Sequence, residues 1–308
     1  MQSDQYPPNE YDGLSLLQKI CGMHPKNLHN SAYDFKRLIR KNPDLAPYVF
    51  VNQYGTTTVD FSRTEAVRQL NRALLMLHYG LSNWNVPEGH LCPPVPSRAD
   101  YIHYLADHIK GDAIGKNVKG LDIGTGANAI YAILGAQIYD WKMVGTDISA
   151  ESMAAANRNI TATGGLSEKI QLRQQSDPAH IFKGILLEGE YYDFTLCNPP
   201  FHSSAEDALK GTVRKTENLH GSAEVGRNFG GTAQELWCNG GEALFIKRMI
   251  KESVAYGHQV GWFSSLVSKK EHLPKIISQL RKLKAVHAIV HMERGNKKTR
   301  FIAWKFDR

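Results

Sequence analysis

The chain has 308 residues, of which 42% are hydrophobic and 22% are charged, and its formal net charge is +7. This length suffices for one large α/β domain with a smaller region attached, and the composition is that of a soluble globular protein. No apolar run approaches membrane-spanning length, and the polar residues 1–10 lack the apolar core of a signal peptide. The four cysteines, Cys21, Cys92, Cys197 and Cys238, form no Cys-x-x-Cys pair. We therefore expect no metal site, no disulfide framework, no membrane association and a cytoplasmic setting.

The positive charge is unevenly distributed along the chain. Residues 242–308 contain 15 Lys or Arg against 5 Asp or Glu, which gives +10 and leaves −3 for the remainder. A second basic cluster near the N-terminus comprises Lys36, Arg37, Arg40 and Lys41. Charge that is concentrated in this way is typical of a surface that binds nucleic acid.

The first 97 residues differ in pattern from the rest. Residues 1–23 are polar and lack sustained periodicity, which predicts a flexible N-terminus. Residues 24–97 predict a mainly helical extension, because apolar residues recur at helical spacing over 64–79. Four prolines within residues 83–97 predict that the extension ends in an extended strap over this stretch. Its basic residues predict that the extension forms an RNA-binding groove beside the active site.

From residue 98 onwards, strand and helix patterns alternate after a first helix over 98–109. Strands are predicted over 118–123, 142–147, 170–174, 192–197, 259–264, 286–291 and 300–306, and helices over 127–135, 151–161, 240–255 and 271–283. This alternation predicts a Rossmann-like α/β domain over 98–308, with a mostly parallel seven-stranded sheet covered by helices on both faces. A short polar turn joins the last two strands, so the final strand is expected to be antiparallel.

A glycine-rich turn follows the first of these strands and opens a helix. In Gly124-Thr125-Gly126 the glycines permit a tight turn and close approach of a ligand, and Asp147 ends the next strand, where a carboxylate can bind ribose hydroxyls. This pattern alone also fits a dinucleotide site, so a dehydrogenase that uses NAD stays open. Asp122 favours S-adenosylmethionine, because its carboxylate would repel a pyrophosphate and attract an ammonium and a sulfonium.

Asn198-Pro199-Pro200-Phe201 follows the strand over 192–197, at the sheet edge where ligands bind. The Asn198 side chain and the Pro199 carbonyl can each accept a hydrogen from an exocyclic amine, which favours its nucleophilic state. Pro199 and Pro200 fix the backbone, and Phe201 offers a face for stacking on a base. The tetrapeptide therefore predicts methylation of a planar amine. It leaves adenine N6, guanine N2 and the side-chain amide of a protein glutamine open.

Several further segments accompany these two motifs. Together they resemble the RlmF family of 23S rRNA adenine-N6 methyltransferases, and they are similar to the methyltransferase domain of the eukaryotic family that modifies U6 snRNA. The resemblance spans residues 23–306 and is carried by Met23-His24-Pro25-Lys26-Asn27, Pro94-Val95-Pro96-Ser97-Arg98, Tyr101-Ile102-His103, Asp122-Ile123-Gly124-Thr125-Gly126-Ala127, Gly240-Gly241-Glu242, Phe301-Ile302-Ala303-Trp304 and the tetrapeptide.

The resemblance implies a class I methyltransferase that uses S-adenosyl-L-methionine and acts on the N6 amine of a specific adenosine in 23S ribosomal RNA. It also implies that Arg98 contacts the cofactor carboxylate. We expect the chain to act as a monomer on RNA of the large subunit or of its assembly intermediate. The polar stretch 202–232 is expected to act as a substrate clamp. A non-catalytic RNA-binding protein of ribosome assembly is the alternative from a different class.

Overall fold

The computed structural model describes residues 22–111, 117–200, 240–294 and 297–307. Nearly all of the predicted flexible N-terminus, the predicted clamp over 202–232 and Phe201 lie outside the described residues. No helix in the described part of the chain is both long enough and apolar enough to cross a membrane.

The described elements alternate along most of the chain. The helices are α1 (Phe35–Lys41), α2 (Thr64–His78), α3 (Val95–Ile109), α4 (Ile130–Tyr139), α5 (Ala150–Thr161), α6 (Gly241–Ser253) and α7 (Leu273–Lys282). The strands are β1 (Val49–Val51), β2 (Thr57–Val59), β3 (Lys119–Ile123), β4 (Lys142–Asp147), β5 (Ile170–Gln174), β6 (Tyr192–Cys197), β7 (Val260–Leu266), β8 (Val286–Arg294) and β9 (Lys297–Lys305).

The last seven strands form one sheet in the order β5-β4-β3-β6-β7-β9-β8. The first five of them pair in parallel, whereas β9 is antiparallel to both β7 and β8. The predicted mostly parallel sheet with an antiparallel last strand is therefore confirmed. The strand order reverses beside β3, and ligands of open parallel sheets bind beyond the carboxyl ends of the strands at such a point.

Helices cover both faces of the sheet. The side chains of β9 show this, because they point alternately to the two faces. Phe301 and Ala303 pack into one apolar cluster with residues of α3, α4 and α5. Ile302 and Trp304 point to the opposite face and pack into a second cluster with residues of α6 and α7. Because successive side chains of a strand point to opposite faces, an apolar run such as this one is buried on both sides.

The segment before α4 differs from the prediction. A helix was expected from residue 127, but α4 begins at Ile130 because the preceding residues adopt left-handed conformations. The φ angles are +73° at Gly124, +62° at Gly126 and +49° at Ala129. The Asn128 Oδ1 atom accepts a hydrogen bond from the Ile130 amide. The glycine-rich turn is therefore three residues longer than its pattern suggests.

The extension contains a β-hairpin that the helical prediction missed. β1 and β2 pair in antiparallel register between α1 and α2. The strands are three residues each and rich in Val and Thr, which favour strands but are too few to show a period. The two helices and the hairpin enclose a small core of their own, formed by Leu38, Leu45, Val59, Ala66, Leu70, Ala73 and Leu74.

The proline-rich strap is tied to the glycine-rich turn. The buried Trp84 donates a hydrogen bond from Nε1 to the Asn128 carbonyl at 2.9 Å. Asn159 of α5 donates to the carbonyls of both Asn85 and Ala127. The strap ends at Pro94, because α3 begins at Val95 and not at residue 98. These bonds fix the strap against the glycine-rich turn.

Candidate active site

Three predicted site residues lie side by side at the carboxyl edge of the sheet. Ile123 at the end of β3 is paired with Cys197 of β6 and with Thr146 of β4. The next residue of each strand or turn is Gly124, Asn198 and Asp147, respectively. The parallel sheet thus brings together the glycine-rich turn, the tetrapeptide and the acid of the next strand, as the sequence predicts.

Hydrogen bonds to the end of β4 hold the glycine-rich turn in place, whereas Gly124 of the turn is open to solvent. The Thr125 amide donates to the Thr146 carbonyl at 2.8 Å, and the Gly126 amide donates to Asp147 Oδ2 at 2.9 Å. Gly124 is exposed, and a side chain built on it would meet nothing within 4 Å. The turn therefore leaves free space at the edge of the sheet, where a ligand can approach its backbone closely.

Asp122 lies beneath this turn and is completely buried. Its Oδ2 atom accepts a hydrogen bond from Thr125 Oγ1 at 2.7 Å, whereas its Oδ1 atom has no partner among the described residues. Burial raises the pKa of Asp122 to about 7, although the bond from Thr125 lowers it. A buried carboxylate oxygen without a partner is costly, and a cation or N–H group of a ligand would satisfy it.

Arg98 reaches the same region from the first turn of α3. Its Nη1 atom donates to the Tyr131 hydroxyl at 2.9 Å, and its guanidinium lies 5.5 Å from the centre of that ring. Its Nε atom is buried and has no partner in the described structure. Arg98 also lowers the pKa of Asp122 through its charge, so the two side chains interact electrostatically. This arrangement leaves a guanidinium that can bind a carboxylate.

Asp147 already makes bonds on both of its carboxylate oxygens. Oδ2 accepts from the Gly126 amide, and Oδ1 accepts from the Ser149 amide at 2.9 Å. Ser149, and not Asp147, caps α5, because its hydroxyl accepts from the Ser152 amide. Each carboxylate oxygen can accept more than one hydrogen bond. The turn-stabilising role of Asp147 is therefore compatible with ribose binding.

A neighbouring turn was not identified from the sequence. The backbone amide of Gln175, directly after β5, donates to the Asp147 carbonyl at 2.9 Å. The Gln175 side chain donates to the Lys183 carbonyl and accepts from the Asp177 amide, which fixes this turn beside Asp147. A polar residue at the end of a third parallel strand was the signal that could have located it.

Asn198 presents an unsatisfied acceptor at the end of β6. Its Oδ1 atom is buried and has no hydrogen-bond partner among the described residues. Pro199 is buried and Pro200 is half-buried, so the backbone after Asn198 is constrained. Unpaired buried acceptors are rare in folded proteins and call for an explanation. An amine of a bound substrate would supply the missing donor.

The strand that carries Asn198 is supported by two residues that the sequence did not single out for this purpose. The Tyr101 hydroxyl lies 2.9 Å from Ser264 Oγ, and Ser264 Oγ donates to the Thr195 carbonyl at 2.7 Å. All three residues are buried. This chain of bonds links α3 through β7 to β6, three residues before Asn198, and it positions the strand end.

Sequence comparison connects this site to known enzymes. A family model described as "RNA methyltransferase" matches residues 17–308. A protein of Christiangramia forsetii named "Ribosomal RNA large subunit methyltransferase F" is 56% identical over 285 residues, covering 92% of this chain and 100% of the relative. A protein of Klebsiella pneumoniae with the same name is 48% identical over 288 residues, covering 92% of this chain and 95% of the relative.

Solved structures lead to the same family and confirm the class I methyltransferase fold. The human Mettl16 catalytic domain in complex with MAT2A 3′UTR hairpin 6 is similar with a TM-score of 0.78 and 29% identity, covering 93% of this chain and 98% of that one. The N-terminal domain of human METTL16 in complex with SAH gives 0.74 and 28%, with coverage of 93% and 100%. The chain belongs to this family of RNA methyltransferases.

Proposed function

We propose that the chain transfers the methyl group of S-adenosyl-L-methionine to the N6 amine of an adenosine in 23S ribosomal RNA. One observation carries the proposal: the buried Asn198 Oδ1 atom has no partner among the described residues and lies at the strand end next to the glycine-rich turn. The names of the bacterial relatives support ribosomal RNA of the large subunit as the substrate. The resemblance to the RlmF family supports adenine N6.

The tetrapeptide suits the chemistry of an exocyclic amine. The lone pair of such a nitrogen is delocalised into the ring, so the amine is a poor nucleophile. Asn198 Oδ1 and the Pro199 carbonyl would accept its two hydrogens and favour the pyramidal nitrogen of the transition state. Phe201 would stack on the base. When bound, S-adenosyl-L-methionine supplies an electrophilic methyl group on a sulfonium.

The residues around the glycine-rich turn fit this cofactor. Arg98 would bind its carboxylate, since its Nη1 atom is held by the Tyr131 hydroxyl and its Nε atom lacks a partner in the described part. Asp122 would attract its positive end, and Asp147 would accept from the ribose hydroxyls. Gly124, Thr125 and Gly126 would provide the close backbone approach. The carboxylates of Asp122 and Asp147 at this turn disfavour the pyrophosphate of NAD. The related METTL16 domain binds SAH, which supports the same cofactor.

We further propose that the extension over 24–97 binds RNA beside the active site and that the chain acts as a monomer in the cytoplasm. Four exposed cations on α1 support the first point: Lys36, Arg37, Arg40 and Lys41. The excess of positive charge over 242–308 would contribute to the same interaction.

The proposal is tested by incubating the chain with labelled S-adenosyl-L-methionine and 23S RNA from cells that lack the protein. Nuclease digestion and mass spectrometry then identify the modified nucleoside. We expect N6-methyladenosine at a single position. N2-methylguanosine in the digest would move the reaction to guanine. Binding of RNA without any methyl transfer to RNA or protein would make the chain an assembly factor.

A further inference from the structure

The hairpin of the extension exposes large apolar side chains. Phe50 is 47% exposed, Tyr54 is 81% exposed and Phe61 is 51% exposed. These three rings lie within twelve consecutive residues. Single exposed apolar residues are common, but a concentration of exposed aromatic rings marks an interaction surface.

Two ordered turns present the rings of Tyr54 and Phe61. Asn52 Oδ1 accepts from the amides of Tyr54 and Thr56, both at 3.0 Å, and the Asn52 amide donates to the Thr56 carbonyl. Phe61 follows Asp60, whose Oδ1 atom accepts from both the amide and the hydroxyl of Ser62. The backbone under both rings is therefore fixed by hydrogen bonds, although the rings themselves are exposed.

The hairpin buries one face and leaves the other uncovered. Val49 pairs with Val59, which is 2% exposed and packs into the small core of the extension. Phe50 pairs with Thr58, and adjacent residues of a strand point to opposite faces. The Phe50 ring thus lies on the face away from the small core, so packing in the described structure does not account for it.

Exposed cations lie on elements that share the small core with the hairpin. α1 packs on the same small core through Leu38 and exposes the four cations Lys36, Arg37, Arg40 and Lys41. Arg63 is also exposed, and its guanidinium lies 5.0 Å from the centre of the Tyr48 ring. Within the described residues, no acidic side chain lies within 4.0 Å of any of these five cations. Arg63 precedes α2 without capping it, in a place where the helix dipole disfavours a cation.

We propose that the β1–β2 hairpin and α1 together bind a single-stranded segment of the RNA substrate. The rings of Phe50, Tyr54 and Phe61 stack on unpaired bases, and the cations of α1 with Arg63 contact the phosphates. Aromatic rings interspersed with unpaired cations are the combination that binds single strands, because every base has a face for stacking. Five exposed cations that form no ion pair with a described acidic side chain fit a polyanion better than a protein surface. This inference rests on the proposed function and specifies the form of RNA that the extension recognises.

The test separates stacking from charge by using two polyanions. The triple variant Phe50→Ala, Tyr54→Ala, Phe61→Ala is compared with the full wild-type chain for binding to a single-stranded RNA of about 12 nucleotides, a length within the range for single-strand sites. Heparin, which has charge but no bases, is the second probe. Tyr191→Ala is the matched control, because Tyr191 is a 40% exposed aromatic residue directly before β6, at the end of that strand away from Asn198.

We expect the triple variant to bind the RNA at least roughly ten-fold more weakly and to bind heparin like the wild type. The variant Lys36→Gln, Arg37→Gln, Arg40→Gln is expected to lose affinity for both probes. Tyr191→Ala is expected to change neither. Tyr54→Ala alone provides a variant without a folding cost, since most of that ring is already in solvent. We expect it to show part of the loss of RNA affinity and no change in heparin affinity.

Unchanged RNA affinity in the triple variant, or equal losses for RNA and heparin, would refute the stacking surface. Unchanged affinity for RNA with weaker binding to the assembled large subunit would also refute it and assign the rings to a protein contact. None of these three outcomes prevents the wild type from methylating RNA, so the proposed function stands. A wild-type chain that neither binds nor methylates RNA would overturn the proposed function itself.

Discussion

Arg98 and Tyr131 join the first turns of two helices on the same side of the active site. Nη1 of Arg98 donates to the Tyr131 hydroxyl at 2.9 Å, and the guanidinium lies 5.5 Å from the ring centre. Tyr131 belongs to α4, which directly follows the glycine-rich turn, and Arg98 belongs to α3. Burial raises the pKa of Tyr131 to about 12, so its hydroxyl stays protonated and neutral. The contact fixes the direction of the guanidinium relative to the turn.

Tyr131→Phe removes the hydroxyl and keeps the ring. Because this hydroxyl orients Arg98, which we propose to bind the cofactor carboxylate, we expect the affinity for S-adenosylhomocysteine to fall roughly ten-fold, the effect of losing one hydrogen bond to a charged group. The affinity for 5′-methylthioadenosine, which has no carboxylate, should not change. Calorimetry with both ligands measures this difference. Equal losses for the two ligands would contradict the positioning role.

Asp122→Asn tests the raised pKa of the buried carboxyl. Between pH 4 and 7 the folded chain holds a proton on Asp122 that the unfolded chain has released, because burial raises the pKa from 3.8 to about 7. This contribution to stability is fully present below about pH 4 and is lost as the pH rises through 7. The variant cannot titrate at this position.

Urea unfolding of both proteins at pH 5 and pH 8 measures this effect. The free energy of unfolding of the wild type, relative to Asp122→Asn, should decrease by about 2–3 kcal/mol between these two values. Because the comparison is a difference between two proteins, titrating groups that do not interact with Asp122 cancel. A constant difference at both pH values would show that the carboxyl does not titrate in this window.

Glu242 of the segment Gly240-Gly241-Glu242 has a structural role. Its buried carboxylate accepts from the Ser268 amide and from His272 Nδ1, both at 2.6 Å, and so holds the segment after β7. We expect Glu242→Gln to lower the free energy of unfolding by about 1–3 kcal/mol, because an amide has one accepting oxygen instead of two. The exposed Glu271→Gln, in the same region, is the control and should change it by less than about 0.5 kcal/mol. Similar effects of the two substitutions would refute this role.

The sheet could be predicted because its strands show apolar runs or an alternation of apolar and polar residues, and end at turns. The three strands β4, β5 and β6 have the predicted bounds, and each lies in the parallel part of the sheet. The start of α4 could not be predicted, because the left-handed conformation of Ala129 has no signature in a residue type that favours helices. The hairpin was missed since its three-residue strands are held by pairing and by the small core rather than by periodicity.

The site could be located from the positions of its residues along the chain and from their types, because the ends of parallel strands meet at one edge of the sheet. Asn198, Gly124 and Asp147 followed from this rule together with their residue types. The supporting contacts could not be predicted. Arg98 and Tyr131 are 33 residues apart, and Tyr101 and Ser264 are 163 residues apart. No local pattern encodes a hydrogen bond over such separations, which arises only when the helices pack on the sheet.

The role of Asn198 in methyl transfer is tested by the rate at which Asn198→Ala methylates adenosine N6 in 23S RNA, with affinity for S-adenosylhomocysteine measured in parallel. Asn157→Ala, which changes an exposed asparagine of α5, is the control. We predict that Asn198→Ala lowers the rate by roughly 100-fold or more, the effect of removing a group that acts on the transition state, with a much smaller loss of ligand affinity. Undiminished formation of N6-methyladenosine by Asn198→Ala would show that Asn198 does not act on the amine in the transition state.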